Sequence, residues 1–126
     1  MVACPHPDLY RRLQSVFTEL GVEQPCSLTD YPRGGAAVPQ AERYACNIAF
    51  VDVATSTEQA VALIAELSRS VPVVGLHPRI DADLMLRCLR RGACEFVGDP
   101  TADAVDAVFE RLGRVQAEAS HRAAGT

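Results

Sequence analysis

Two carboxylates and an imidazole follow strands that the sequence predicts to be buried, and these residue types could do chemistry together. Asp52 closes the apolar run 47–52, His77 follows a second such run, and Asp99 comes shortly after a third. Because the carboxyl ends of parallel strands meet at one edge of an open α/β sheet, we expect the three side chains to lie close together. They could bind a transition metal, with His6 as a further ligand, or His77 could form a charged hydrogen bond with one aspartate. We favour the hydrogen-bonded pair because the spacing matches no recognised metal-binding motif.

The composition indicates one domain over residues 1–117, followed by a frayed tail or linker at 118–126. The chain has 126 residues, 48% of them hydrophobic, so it can bury one core. Its formal charge of −4 comes without a basic block, which argues against binding to nucleic acid or anionic lipid. No apolar stretch approaches the roughly 20 residues of a membrane span. The N-terminus also lacks the order of a signal peptide, so we expect a cytoplasmic protein without membrane insertion.

The five cysteines do not indicate a disulfide framework or a zinc site. Their number is odd, and no two of them have the C-x-x-C spacing. We therefore expect reduced thiols that are mostly buried. Cys4, at the end of the first apolar run, could be a nucleophile, but the sequence names no base or oxyanion donor to accompany it.

Hydrophobic periodicity predicts helices that alternate with short strands. Ser56 with Gln59 forms a capping-box signature, Asp81 and Thr101 are predicted N-caps, and Gly21 is a predicted C-cap. The inward-facing residues of the four clear helices are, in chain order, Leu9, Leu13, Val16, Phe17 and Leu20; Ala60, Leu63, Ile64 and Leu67; Leu84, Cys88 and Leu89; and Val105, Val108, Phe109, Leu112 and Val115. Short connections between alternating elements predict a parallel sheet covered on both faces.

The segment 22–44 has the weakest pattern. A strand is predicted within residues 22–28, at a sheet edge because Pro25 interrupts it. Glycines and prolines between residues 32 and 39 favour an irregular loop, and only residues 41–44 could form a helical turn. We therefore expect the second helix to be weak or missing.

Three segments, residues 47–52, 72–76 and 91–96, carry a resemblance that extends to about residue 115. In order, they resemble the strand that ends in the phosphoacceptor aspartate, the fourth strand, and the entry to the fifth strand of response-regulator receiver domains. The resemblance implies a flavodoxin-like (CheY-like) three-layer α/β/α sandwich with five parallel strands in the order 2-1-3-4-5. It also implies that Asp52 occupies the phosphoacceptor position.

The phosphorylation site implied by this resemblance is degenerate. Receivers hold Mg²⁺ with an acidic pair after the first strand, and they place a Ser/Thr after the fourth strand and a Lys before a proline after the fifth. Pro5 and His6 replace the acidic pair, and Asp8 is the nearest carboxylate, already in the first helical turn. His77 takes the hydroxyl position, and Asp99 takes the lysine position, where its charge would oppose a phosphoryl dianion. We therefore expect no cofactor, with Mg²⁺ bound only if the strand-end aspartate accepts phosphate.

A narrower resemblance rests on residues 83–93 and 95–97. They are similar to the atypical receiver domain that precedes the ATPase domain in pilus-assembly proteins of the tight-adherence (Tad/Cpa) type. This similarity implies that the chain is an N-terminal piece whose partner is a fused effector domain or another protein. The 126 residues contain no phosphate-binding glycine loop of such an ATPase.

Charged residues on the last two predicted helices could form a partner face. Arg87, Arg90 and Arg91 make one side of the helix before the last strand basic, and Asp106 and Glu110 make the final helix acidic. These helices and the fifth strand form the usual partner face of receivers, so we predict a homodimer held by complementary charges. The alternative is a solvated surface that happens to be striped, since exposed ion pairs contribute little.

We predict a pseudo-receiver, that is, a module for protein interaction and dimerisation in signal transduction, without enzymatic activity. It could localise a pilus-assembly ATPase. The alternative is a true receiver of a two-component system that is phosphorylated on Asp52. A third hypothesis is a small metal-binding or redox protein built on Asp52, His77, Asp99 and the cysteines.

Overall fold

The computed structural model describes residues 1–23, 26–79 and 81–124, with side chains described as far as residue 113. The strands are β1 (Val2–Ala3), β2 (Ser27–Leu28), β3 (Ala49–Asp52), β4 (Val73–Leu76) and β5 (Glu95–Val97). The helices are α1 (Pro7–Leu20), α2 (Ala37–Arg43), α3 (Thr57–Leu67), α4 (Ala82–Arg90) and α5 (Ala102–Ala124). None of the described helices is long and apolar enough to cross a membrane.

All five strands are parallel and lie in the order β2-β1-β3-β4-β5, which confirms the predicted sheet. Every residue of β3 and β4 is buried, as expected when helices cover both faces of a parallel sheet. Asp52 pairs with Leu76, and Leu76 pairs with Val97. The register therefore brings the carboxyl ends of β3, β4 and β5 to the same edge.

The core has two layers because successive strand residues point to opposite faces of the sheet. Val51 and Val73 point to the side covered by α2, α3 and α4. Phe50 points to the side covered by α1 and α5, where its ring centroid lies 5.3 Å from that of Phe17 and 5.7 Å from that of Phe109. This aromatic cluster joins α1, β3 and α5 below the sheet edge that carries Asp52.

Three of the four predicted helix caps are present. Gly21 ends α1 with φ of +69°, the Asp81 carboxylate accepts hydrogen bonds at the start of α4, and the Thr101 hydroxyl accepts one at the start of α5. Ser56 stands at the N-cap of α3, but its side chain makes no capping hydrogen bond, so the predicted capping box with Gln59 is wrong.

The second helix is a correction to the sequence prediction. Residues 37–43 form a complete α2 of seven residues rather than a turn at 41–44. Its N-cap residue makes no side-chain hydrogen bond, and the Glu66 carboxylate of α3 takes that role by accepting from the backbone N–H groups of Ala37 (3.2 Å) and Val38 (3.5 Å). A cap supplied from another helix has no local signature, which is why the pattern of residues 32–44 did not predict it.

The second strand is shorter than predicted. It covers only Ser27–Leu28 and pairs on one side with β1, so it is an edge strand, as expected. Pro25, which led to that expectation, lies outside the described residues.

The burial of side chains on α4 also differs from what the hydrophobic periodicity predicts. Cys88 is fully buried, but Leu84 is only half-buried and Leu89 is 42% exposed, so the predicted burial of Leu89 is wrong. The helix packs on the sheet through a narrow strip, which leaves its other apolar residues outside.

The backbone of α5 continues as a helix to Ala124. The helix thus includes residues 118–124 of the predicted tail or linker, and both that tail and its boundary at residue 117 stay predictions. Val115 was expected to point inward, and its side chain lies outside the described ones.

Candidate functional site

Asp52 lies at the end of β3, and its carboxylate is held by the turn that follows the strand. The residue is 0% exposed. Its Oδ1 accepts hydrogen bonds from the N–H groups of Ala54 (2.8 Å) and Thr55 (3.4 Å), and its Oδ2 accepts one from the Thr55 hydroxyl (2.5 Å). Short polar side chains commonly close turns by bonding to the backbone two residues on. Both carboxylate oxygens are thus satisfied within residues 52–55.

Cys4, just after β1, is the nearest sulfur to this carboxylate. Its Sγ lies 3.9 Å from Asp52 Oδ2 and 3.6 Å from the carbonyl oxygen of His6, and the residue is 0% exposed. Burial first, and the charge of Asp52 second, raise the pKa of the Cys4 thiol to about 12. The sulfur therefore stays protonated near neutral pH, and it lacks the thiolate that a nucleophile needs.

Tyr31 closes the site from the loop before α2. Its hydroxyl donates a hydrogen bond of 2.5 Å to the carbonyl oxygen of Asp52 and accepts a longer one of 3.4 Å from the N–H of Ser56. The residue is 4% exposed, and burial together with the Asp52 charge raises the pKa of the phenol. The sequence analysis missed Tyr31, although a lone aromatic in a polar loop was an available signal.

The two positions that the sequence resemblance assigns to the acidic pair of a receiver hold no carboxylate. Pro5 is half-buried, and His6 is the N-cap of α1, where its Nδ1 accepts a hydrogen bond of 3.2 Å from the N–H of Leu9. Asp8 lies in the first turn of α1 and forms an exposed ion pair with Arg11. Asp8 therefore does not contribute to the site around the strand-end carboxylate.

His77 does not form the predicted pair with either Asp52 or Asp99. The His77 Nδ1 accepts a hydrogen bond of 2.9 Å from the N–H of Arg79 in its own loop, and no ion pair among the described residues includes His77. Asp99 instead pairs with Arg12 of α1, and its side chain is 63% exposed. Arg12, which was not predicted from the sequence as a site residue, offsets the negative charge of Asp99.

The residues at this edge do not fit Mg²⁺. This cation needs several oxygen ligands in octahedral geometry, whereas the site supplies one carboxylate whose oxygens are already hydrogen-bonded. Within the described part of the chain, no group of three or more His, Cys, Asp or Glu side chains could hold a metal ion. The transition-metal set of Asp52, His77, Asp99 and His6 is therefore not assembled.

The charged residues of the predicted partner face lie at the surface, on or beside α4 and α5. The guanidinium of Arg87 lies 2.7 Å from Glu58 of α3, so it faces away from α5. Arg90 and Arg91 on α4 and Asp106 and Glu110 on α5 are exposed. No ion pair among the described residues joins α4 to α5.

Two exposed leucines accompany those charges on α4. Leu86 is 46% exposed and Leu89 is 42% exposed. The run Leu84-Met85-Leu86 already indicates exposed apolar residues, because three consecutive apolar residues cannot all face inward from a helix. This helix therefore presents an apolar strip bordered by arginines.

Comparison with known proteins gives matches at the level of structure. No family model matches the chain, and a search of curated proteins found no match. The signal receiver domain of a modulated diguanylate cyclase from Desulfovibrio desulfuricans G20 is 19% identical, with a TM-score of 0.71 over 87% of this chain and 88% of that chain.

Two further structural neighbours are a pilus assembly-related protein and a CheY-like protein. A protein from Burkholderia pseudomallei K96243 described as pilus assembly-related is 20% identical, with a TM-score of 0.66 over 87% of this chain and 84% of that chain. A CheY-like protein, TadZ, from Pseudomonas aeruginosa PAO1 is 21% identical, with a TM-score of 0.65 over 89% of this chain and 90% of that chain.

The sheet order and the five flanking helices agree with these neighbours. At such identities the likeness concerns the fold. The chain therefore has the CheY-like, flavodoxin-type fold of response-regulator receiver domains.

Proposed function

We propose that this chain is a pseudo-receiver, a fixed scaffold for protein–protein interaction that carries out no reaction of its own. One observation carries the proposal: the Asp52 carboxylate is fully buried, and both of its oxygens accept hydrogen bonds from the following turn. A phosphoacceptor must instead present an oxygen to the incoming phosphorus.

The chemistry of phosphorylation explains why this arrangement is unfavourable. A phosphoryl dianion on Asp52 would break the hydrogen bond from the Thr55 hydroxyl and place negative charge beside the Cys4 thiol. Such a dianion needs a metal ion, a cation or several donors to stabilise it. Here Asp99 adds a carboxylate at the lysine position, and Arg12 is already paired with it.

The α4 surface is the part of this scaffold that we assign to a partner. Leu86 and Leu89 offer exposed apolar area, and Arg90 beside them offers positive charge. A second copy could cover this strip by an isologous contact in which the α4 arginines of each copy face Asp106 and Glu110 of the other. A fused effector domain could use the same strip, and the role we propose is localisation of a pilus-assembly ATPase in the cytoplasm. One neighbour of the same fold is described as pilus assembly-related.

Intact-mass analysis after incubation with acetyl phosphate and Mg²⁺ tests the proposal. We expect no phosphoryl adduct on the wild-type chain, and an identical result for Asp52→Asn. The absence of lysine simplifies the spectrum because no side-chain amine can be acetylated by the reagent. An adduct on the wild type that Asp52→Asn abolishes would establish the alternative, a true phosphoacceptor receiver.

Amide NMR spectra with Mg²⁺ and beryllofluoride provide a second test. A fixed scaffold predicts unchanged spectra. Shifts that begin at Asp52 and spread to α4 would show a working switch and overturn the pseudo-receiver proposal.

Sedimentation of the wild type and of a Leu86→Ser/Leu89→Ser variant tests the dimer. We expect the variant to fold normally and to dimerise more weakly than the wild type.

A further inference from the structure

A concave surface lies at the amino-terminal edge of the sheet, at the opposite end of β4 from Asp52. Its volume is about 600 Å³, and it is lined by the turn after α3, the starts of β4 and β5, and α5. The four residues of β4 separate it from the Asp52 turn by roughly 13 Å at 3.3 Å per residue. We call it the Arg69 groove, and define it by Ser68, Arg69, Val71, Pro72, Arg111 and Leu112.

The floor of the Arg69 groove is apolar. Val71 is 8% exposed and Leu112 is 9% exposed, and Pro72 also lines the groove. Pockets of 300–1,000 Å³ with apolar floors and a few polar groups are typical of small-molecule sites. The groove has the size and the floor of such a site.

One wall of the groove is held in place before any ligand binds. The Ser68 hydroxyl lies 3.3 Å from the carbonyl oxygen of Arg91, which ties the end of α3 to the turn after α4. Gly92 packs so closely against this serine that an added Cβ would lie 2.3 Å from the Ser68 Oγ. Because this wall is already ordered, binding a ligand would cost little conformational entropy there.

The rim of the groove is cationic. Arg69 is exposed and, within the described part of the chain, takes part in no ion pair. Arg111 uses its Nε to bond the Glu95 carboxylate at 2.5 Å, which fixes the guanidinium and leaves its terminal nitrogens to other acceptors. Among the described residues that line the groove, two guanidinium groups against one carboxylate give a net positive rim on a chain whose formal charge is −4.

We propose that the Arg69 groove binds a small organic acid with an apolar body. The carboxylate of the ligand accepts hydrogen bonds from Arg69 and from the free nitrogens of Arg111, and the apolar body covers Val71, Pro72 and Leu112. Guanidinium groups bind carboxylates in a planar, charge-assisted geometry, and the floor supplies the hydrophobic contribution. This site does not rest on the proposed function, because it shares no residue with the Asp52 turn or with α4.

NMR titration with hexanoate and 4-phenylbutyrate, each compared with its neutral amide, tests the site. We expect saturable shifts of the amides of residues 68–71 and 92–95 with the acids, and binding about tenfold weaker for the amides, as loss of a charge-assisted hydrogen bond predicts. Arg69→Gln should weaken acid binding by a similar factor and leave the rest of the spectrum unchanged. Arg79→Gln, which removes an exposed arginine at the other sheet edge, is the matched control and should bind normally.

Three results would overturn the proposal. The first is the absence of saturable shifts with both acids at millimolar concentration. The second is equal binding of acid and amide, and the third is equal binding by Arg69→Gln and wild type.

Discussion

The substitution Thr55→Val measures how firmly the Asp52 carboxylate is held in its turn. It replaces the hydroxyl that donates to Oδ2 at 2.5 Å with a methyl group of similar size. The oxygen would then keep only the Cys4 thiol at 3.9 Å. Hydrogen bonds to charged groups contribute about 1.5–3 kcal/mol, and Thr55 is exposed enough for water to replace part of the loss. We therefore expect the free energy of unfolding to fall by about 1.5 kcal/mol.

A double-mutant cycle with Asp52→Asn separates this hydrogen bond from other effects of the substitution. Without the charge at residue 52, Thr55→Val should lower the free energy of unfolding by much less than in the wild-type chain. The difference between the two losses is the coupling energy, which we expect to be about 1 kcal/mol. Urea denaturation followed by circular dichroism gives all four free energies of unfolding. Thr57→Val is the matched control, because its hydroxyl bonds the carbonyl oxygen of Val53 at 3.2 Å and should show no coupling to residue 52.

Equal costs of Thr55→Val in the wild-type chain and in the Asp52→Asn variant would refute the reasoning. The carboxylate would then not depend on its turn, and the observation that carries the pseudo-receiver proposal would lose its energetic basis.

Four further substitutions, one of them a control, test other contacts. Glu66→Ala removes the cap of α2, so it should lower the free energy of unfolding by about 1 kcal/mol and speed amide exchange in α2. The control Glu58→Ala breaks an exposed ion pair and should lower it by less than about 0.5 kcal/mol. Equal losses for the two variants would show that Glu66 is no cap. Gly75→Ala places a Cβ 2.7 Å from the ring of Phe96 and should lower stability in urea by about 1–3 kcal/mol, so an unchanged midpoint would contradict the packing. Because burial raises the pKa of Cys4 from 9.0 to about 12, the unfolded chain loses this proton first, and stability should fall as the pH rises from 9 to 12. Cys4→Ala should show a shallower fall in urea titrations over that range, and identical slopes would refute the assigned pKa.

Much of the fold could be predicted from local patterns. The spacing of the hydrophobic residues identified α1, α3, α4 and α5. The Asp52 strand was recognised because a short run rich in β-forming residues ends in a carboxylate. Gly21, Asp81 and Thr101 marked helix ends because caps act on neighbouring residues. The order of the strands came from resemblance, since periodicity does not say which strands pair.

The tertiary structure decided the contacts between distant residues. Arg12 meets Asp99 across 87 positions, Tyr31 reaches the carbonyl oxygen of Asp52 across 21, and Glu66 caps a helix that begins 29 positions earlier. Each of these contacts depends on where a loop or helix places one polar atom, and no repeating pattern encodes that placement. The sequence by itself therefore determined which residues are buried in most elements, and a resemblance added the prediction that the metal and lysine positions of a receiver are altered. Only the folded chain showed that the remaining carboxylate is closed by its own turn, because hydrogen bonding is directional and is specified by geometry rather than by residue period.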